Sequence, residues 1–249
     1  MHQFESLQLV LWILAPVGQL IAIAVIYARR LIREVPWFFA YTVFHLIQFT
    51  VLFLAYHNSY SSYFYSYWVA EGVDALFVLI VLQEVYDHVF HPYDALQNLS
   101  TILFRWAVII LLAIALLVAA SASGTEQNRF IASLLILDRS ASFVQCGLIF
   151  LLFILKQAIG LPWRNVNHGI ALGLGIVSAA ACITLTIRAY SHQGFDGIFG
   201  LVLTVGYNLA ILVWIAMLLK PQPVPNRENL LADATLQKWD AALLELMHR

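Results

Sequence analysis

The sequence predicts an all-α protein embedded in a membrane, and three properties lead to that prediction. Hydrophobic residues make up 62% of the 249 residues and charged residues only 11%, whereas a soluble domain carries about 25% charged residues. The mean hydropathy is +0.82. The apolar residues are grouped in runs close to the ~20 residues that a helix needs to cross ~30 Å of hydrocarbon. We therefore predict a multi-pass protein of the cell (inner) membrane.

Seven apolar runs are predicted to be transmembrane helices within a domain of residues 1–220. The first run contains Pro16, and the residues before it carry Glu5 but no Lys or Arg. A secretory signal begins with positive charge, so we expect a retained first helix. The predicted spans are residues 7–27, 37–56, 67–86, 103–122, 130–157, 166–190 and 198–219.

The distribution of basic residues predicts the orientation of these spans. With the N-terminus outside, ten Lys and Arg residues fall on the cytoplasmic side, namely Arg29, Arg30, Arg33, Arg105, Lys156, Arg164, Lys220, Arg227, Lys238 and Arg249. Only Arg129, Arg139 and Arg188 fall on the outer side. Cytoplasmic loops carry the excess of basic residues. We therefore expect the N-terminus outside and the C-terminus in the cytoplasm.

The third span, residues 67–86, carries the most informative charges. Glu71 and Asp74 are three residues apart, so they share one face of a helix. A carboxylate at the centre of a membrane helix costs about 2.5–3.5 kcal/mol on insertion scales, so these two must face protein or water. We expect the other helices to be arranged around that face.

Five ionisable residues are predicted to share the outer half of the membrane. They are Glu71, Asp74, Asp138, Arg139 and Arg188, and neighbouring helices add a polar lining of His45, Gln48, Ser142, Gln145 and Asn208. Intramembrane ionisable residues often mark functional sites, which favours an outward-facing polar pocket. The alternative is a structural lattice of ion pairs, for instance Asp74 with Arg139 and Glu71 with Arg188. Both hypotheses stay open at this stage.

The sequence does not support a bound cofactor or metal. Among eight histidines only His45 lies well inside a predicted span, and there is no HExxH motif. The lysines are Lys156, Lys220 and Lys238, so the seventh span offers none for a retinal Schiff base. Cys146 and Cys182 lie in apolar runs, where packing is the commoner role. We predict no cofactor, no metal and no nucleic-acid partner.

Two segments indicate partners other than the lipid bilayer. Residues 221–249 begin with three prolines and then carry an apolar stripe of Leu236, Trp239, Leu243, Leu246 and Met247 at helical spacing. We predict a cytoplasmic amphipathic helix that packs on the bundle or on a cytoplasmic protein. Gly169 and Gly173 give the sixth span a small-residue face. Such a face permits close helix contact, within the bundle or between copies in a homo-oligomer.

Three short motifs suggest a family. Leu103-Phe104-Arg105-Trp106, Val144-Gln145-Cys146-Gly147 and Leu161-Pro162-Trp163-Arg164 resemble an uncharacterised family of bacterial seven-helix membrane proteins. The architecture is also similar to the seven-helix sensory modules of bacterial histidine kinases. The leading hypothesis is a receptor-like or accessory protein that binds a ligand or partner at the outer cluster. The alternative is a small-solute or proton-coupled transporter, and an enzyme has less support.

Overall fold

A computed structural model describes residues 2–90, 98, 101–102, 104–106, 109–110, 113, 117, 140–154, 157, 165–190 and 196–221, with the backbone only at 2–9, 60, 185–190 and 196–198. The six longer helices in these ranges are α1 (His2–Ala28), α2 (Pro36–Asn58), α3 (Tyr60–Phe90), α4 (Ser140–Ile154), α5 (Asn165–Tyr190) and α6 (Asp196–Leu219). A short 3₁₀ turn, Leu31–Arg33, links α1 to α2. The described ranges contain no strand, so the predicted all-α class is confirmed there.

Five of the helices close into a ring. α1 packs on α2 and α6, α3 packs on α2 and α5, and α5 and α6 form the most extensive contact. The interior of the ring holds large buried side chains, among them Phe38, Tyr41, Tyr86 and Trp214. α4 lies against the ring, because the Tyr86 hydroxyl on α3 donates to the carbonyl of Leu148.

The two ends of the ring are distinguished by their contacts. At one end, the guanidinium of Arg29 donates to the carbonyls of Leu218 and Lys220, so it caps the C-terminus of α6. Asn165, the first residue of α5, donates to the carbonyl of Pro221 at the same end. We call this the Arg29 end. The opposite end, where Ser59 joins α2 to α3, is the Ser59 end.

The outer surface of the ring is apolar, as expected for helices in contact with lipid. Leu20 on α1, Leu54 on α2 and Leu212 on α6 are all exposed. Four described segments are long and apolar enough to cross a membrane: Val10–Ala28, Pro36–Asn58, Asn165–Thr184 and Phe199–Leu219. The helices and their apolar outer surface indicate a membrane-embedded helical protein.

The first, second, sixth and seventh predicted spans correspond to α1, α2, α5 and α6. The helix of the third span is longer than predicted, because the segment expected to be an outer loop after residue 56 is helical on both sides of Ser59. The Ser59 hydroxyl accepts a hydrogen bond from the backbone N–H of Ser62. Ser59 therefore caps the N-terminus of α3, directly after the end of α2. α3 is described as far as Phe90, and the residues that follow it lie outside the described ranges.

The fourth and fifth predicted spans are described in part. Phe104 lies beside Tyr86 with ring centroids 5.1 Å apart, and Ile109 and Leu76 line one cavity. From Phe104 to Ile109 the chain therefore advances along α3 from the Arg29 end toward the Ser59 end. α4 runs in the opposite sense, since Ser142 contacts Cys182 in the second half of α5 and Ile149 lies beside Gly175. The predicted tail helix lies outside the described residues.

The small-residue face of α5 is covered by α6 of the same chain. A Cβ atom added at Gly169 would overlap with Met217, and one added at Gly173 would overlap with the indole of Trp214. The Trp214 Nε1–H donates to the carbonyl of Ile170, 3.3 Å away. Gly169 and Gly173 therefore permit the close approach of two neighbouring helices.

Candidate functional site

A cavity of about 330 Å³ lies between α1, α2, α3 and α6 in the half of the ring nearer the Ser59 end. The polar side chains that line it are Gln19, His45, Gln48, Tyr67, Glu71, Thr204 and Tyr207. Its apolar lining includes Trp12, Pro16, Phe49 and Leu52. Each of the four helices thus contributes to the wall, and the volume is within the range of small-molecule sites, roughly 300–1,000 Å³.

His45 and Asp74 form the polar contact next to this cavity. The Nε2 atom of His45 on α2 lies 3.0 Å from Oδ1 of Asp74 on α3, with side-chain exposures of 15% and 26%. The distance is that of an ion pair, but neither atom has an aligned hydrogen-bond partner among the described residues. The aromatic rings of Tyr41 and Tyr207 pack around His45, with centroids 4.5 and 5.2 Å from the imidazole.

Two glutamines bring further acceptors to the same cavity. Gln19 is only 1% exposed, and its Nε2 donates to the hydroxyl of Tyr207 at 2.6 Å. Its Oε1 is buried without a hydrogen-bond partner in the described structure, and so is Oε1 of Gln48. Buried polar atoms are nearly always hydrogen-bonded to protein, water or a ligand. The cavity therefore presents acceptors that the described protein atoms do not satisfy.

An aromatic layer separates the cavity from the Arg29 end. Trp214 packs edge-on against Phe38 and Tyr41, with ring centroids 5.3 and 6.0 Å apart. Tyr207, which lines the cavity, lies on the other side of this layer at 6.4 Å from Trp214. Phe38, Tyr41 and Trp214 are fully buried. They form a floor beneath the polar side chains of the cavity.

Beyond this floor, Glu84 on α3 closes the N-terminus of α2. Its two carboxylate oxygens accept hydrogen bonds from the backbone N–H groups of Trp37 and Phe38, at 2.9 and 3.0 Å. Val35 provides no side-chain cap, and the first N–H groups of a helix have no partner within it. A carboxylate also suits the positive end of the helix dipole. Glu84 is therefore engaged in a structural cap.

Asp87, one turn further along α3 and beyond the predicted span, is half-buried. Burial raises the pKa of this carboxyl group, and the neighbouring His88 opposes that rise. The described polar contacts near the Arg29 end are thus contacts at helix ends, made by Glu84, Arg29 and Asn165.

The structure brings together some of the predicted site residues. His45, Gln48 and Glu71 line the cavity, and Asp74 contacts His45. Asn208 lies near them but donates to the carbonyls of Leu11 and Thr204. In this position it fastens α6 to α1 one turn before Pro16.

Ser142 and Gln145 lie elsewhere, in the contact between α4 and α5. The Ser178 hydroxyl donates to Oε1 of Gln145 at 3.4 Å, and the Cys182 thiol approaches the carbonyl of Ser142 at 3.6 Å. Asp138 and Arg139 lie outside the described residues, and Arg188 is described only by its backbone in α5. The predicted pairs of Asp74 with Arg139 and Glu71 with Arg188 therefore remain predictions.

Sequence analysis did not identify Trp12, Tyr41 or Tyr207 as part of this site. Aromatic residues are common in membrane helices, so their presence alone carried no information. Helical spacing offered a cue for Tyr207, because Thr204 and Tyr207 share a face of α6. Within the described ranges, no three His, Cys, Asp or Glu side chains are grouped as metal ligands would be.

The fold and the cavity define a helical membrane protein with a cavity between four of its helices, where several polar side chains lie among apolar ones. Comparisons with protein-family models, with curated proteins and with solved structures found no match for this chain.

Proposed function

We propose that this chain is a receptor-like protein of the cell membrane that binds a small ligand in the cavity between α1, α2, α3 and α6. The observation that carries the proposal is the set of buried, unsatisfied acceptors next to a cavity of ligand size, Oε1 of Gln19 and Gln48 and Oδ1 of Asp74. In a purely structural cluster we would expect these acceptors to be matched by protein donors, as those of Glu84 are.

The proposed topology is seven transmembrane helices with the N-terminus outside and the C-terminus in the cytoplasm. α3 and α4 both run toward the Arg29 end, so the chain between them must cross back an odd number of times. Phe104 and Ile109, which are both helical and lie beside α3, support one such crossing. Arg29, Arg30, Arg33 and Lys220 lie at the Arg29 end, which supports a cytoplasmic position for it.

A proton-coupled transporter is the competing function, and the contact between His45 and Asp74 is the observation that favours it. Transport requires polar groups across the full thickness of the membrane. The buried aromatic layer of Phe38, Tyr41 and Trp214 lies between the cavity and Glu84. Glu84 itself is engaged with the N-terminus of α2. These features favour a cavity with one closed end, as in a receptor.

The proposed function is tested by blocking the cavity. Leu52 lines it, whereas Leu54 on the same helix is exposed on the outer surface. We expect Leu52→Trp to fill the cavity and Leu54→Trp to leave it unchanged. A library of small polar molecules is screened by thermal unfolding of the full chain in detergent.

Compounds that stabilise the wild type and Leu54→Trp, but not Leu52→Trp, would support a ligand site in this cavity. The proposal would be overturned if no compound in the library stabilised the wild type and Leu54→Trp more than it stabilised Leu52→Trp. Transport of protons or solutes by the wild type in sealed vesicles would instead favour the transporter. The topology is tested separately with reporters, expected in the cytoplasm after Arg249 and outside within residues 121–128.

A further inference from the structure

We infer that the ligand of this cavity is a small organic ammonium ion, an inference that rests on the proposed function. Among the described residues around the cavity, three of the four unsatisfied side-chain atoms are acceptors, and the fourth is Nε2 of His45, 3.0 Å from Oδ1 of Asp74. Oε1 of Gln19, Oε1 of Gln48 and Oδ1 of Asp74 all accept hydrogen bonds. An ammonium group offers up to three N–H donors and no acceptor, so it matches this set.

Pro16 removes a backbone hydrogen-bond donor from the part of α1 that lines the cavity. Because proline has no N–H, the carbonyl of Trp12 loses the donor that it would have in an uninterrupted helix. Both residues line the cavity. In membrane helices such carbonyls are commonly satisfied by neighbouring polar groups. Asn208 serves the adjacent carbonyl of Leu11 in this way.

The apolar walls of the cavity also suit a cation. Trp12, Phe49, Tyr67 and Tyr207 contribute aromatic rings, and Trp12 and Phe49 are in contact at 4.5 Å between centroids. The face of an aromatic ring attracts a cation electrostatically, most strongly in a desolvated site. A neutral or anionic ligand would gain nothing from that attraction.

The charges around the cavity are consistent with this choice. Glu71 lines it and Asp74 lies behind His45, whereas its described lining contains no Lys or Arg. An ammonium ion would bring positive charge near the carboxylate of Asp74, whereas an anionic ligand would bring like charge to it. The volume of about 330 Å³ is at the lower end of the range for ligand sites, and it favours an amine with a single ring.

The inference is tested with three compounds of the same shape and different charge. Binding of 2-phenylethylammonium, 2-phenylethanol and 3-phenylpropanoate to the full chain is measured by calorimetry in lipid nanodiscs. We expect the ammonium ion to bind at least about tenfold more tightly than the alcohol, which corresponds to about 1.4 kcal/mol. We expect the carboxylate to bind more weakly than the alcohol.

Two variants of Gln48 sharpen the test. Gln48→Met removes an acceptor and keeps the length of the side chain, so we expect about tenfold weaker binding of the ammonium ion. The thermal stability of the ligand-free protein should not fall, because the lost acceptor has no partner there. Gln83→Met, the same change on α3 outside this cavity, is the matched control. Gln48→Glu, which keeps the acceptors and adds negative charge, should strengthen binding of the ammonium ion but not of the alcohol.

Different results separate the two proposals. Equal or tighter binding of the alcohol or the carboxylate would overturn the ammonium inference, and so would weaker binding of the ammonium ion by Gln48→Glu. If none of the three compounds binds, while library compounds without an amine distinguish Leu52→Trp from Leu54→Trp, the ligand site stands and the ammonium inference fails. If no compound distinguishes these variants, both proposals fail.

Discussion

Asp74 and Glu84 are two carboxylates on the same helix, and their surroundings differ in one decisive respect. Both carboxylate oxygens of Glu84 accept hydrogen bonds from backbone N–H groups of α2, and the residue is 5% exposed. Asp74 lies at ion-pair distance from His45, yet its Oδ1 has no aligned hydrogen bond in the described structure. Hydrogen-bond satisfaction thus distinguishes the structural carboxylate of Glu84 from that of Asp74, which the proposed function assigns to the ligand site.

The largest expected effect is at Glu84. Glu84→Leu would leave the N–H groups of Trp37 and Phe38 without acceptors, and we expect it to destabilise the protein by about 3 kcal/mol or more, since a hydrogen bond to a charged group contributes about 1.5–3 kcal/mol. Glu84→Gln keeps one acceptor and should cost less. Unfolding in mixed detergent measures both. A Glu84→Leu protein as stable as the wild type would remove the contrast with Asp74.

The next effect concerns the aromatic layer between the two carboxylates. Gly173→Ala would place a methyl group against the indole of Trp214. We expect a loss of about 2 kcal/mol, because overpacking of a close contact costs roughly 1–3 kcal/mol. An added Cβ atom at Gly147 on α4 would have no described residue within 4 Å. Gly147→Ala should therefore be neutral or stabilising, by up to about 1 kcal/mol. Equal effects at the two glycines would contradict the close packing of α5 on α6.

A smaller effect is expected from the pair of Asp74 and His45. We expect Asp74→Asn and His45→Gln each to cost less than Glu84→Leu, and the double variant to cost less than the sum. The coupling energy should be about 1 kcal/mol, within the range for residues in contact. Strictly additive losses in the unfolding assay would mean that the two side chains do not interact. The same cycle with Arg139→Gln tests the pairing that the sequence predicts.

The smallest effect is expected at Arg29, on the side of the aromatic layer that contains Glu84. Arg29→Met would remove the cap on the carbonyls at the end of α6. A cation at a helix C-terminus contributes about 0.3–1 kcal/mol, so we expect a loss in that range. Arg33→Met, an exposed arginine of the 3₁₀ turn, is the control. If both variants unfold at the same point, the cap makes no measurable contribution.

Much of the helical architecture could be predicted from hydropathy. The bounds of α2, α5 and α6 agree with the predicted spans to within about two residues, because long apolar runs leave the backbone few alternatives to a helix. The helical start of α3 was not predicted. A segment rich in Tyr and Ser resembles a loop in composition, and only the capping contact of Ser59 shows where the helix begins.

The candidate site was predictable in part for a related reason. Helical periodicity places Glu71 and Asp74 on one face, but it does not determine which residue of another helix faces them. The contact with His45 depends on how far α2 is shifted along α3. The same shift brings the N–H groups of Trp37 and Phe38 to Glu84. Neither partner is encoded in the local sequence.

The position of Glu84 also has a mechanical consequence. A single residue, Ser59, joins α2 to α3 at one end, and the carboxylate of Glu84 joins the same two helices at the other. Two helices that are connected at both ends cannot separate unless one of the two connections breaks. A rigid-body shift of α3 would therefore move α2 with it, which is the kind of joint movement that transmits motion by rocking or shear between packed helices.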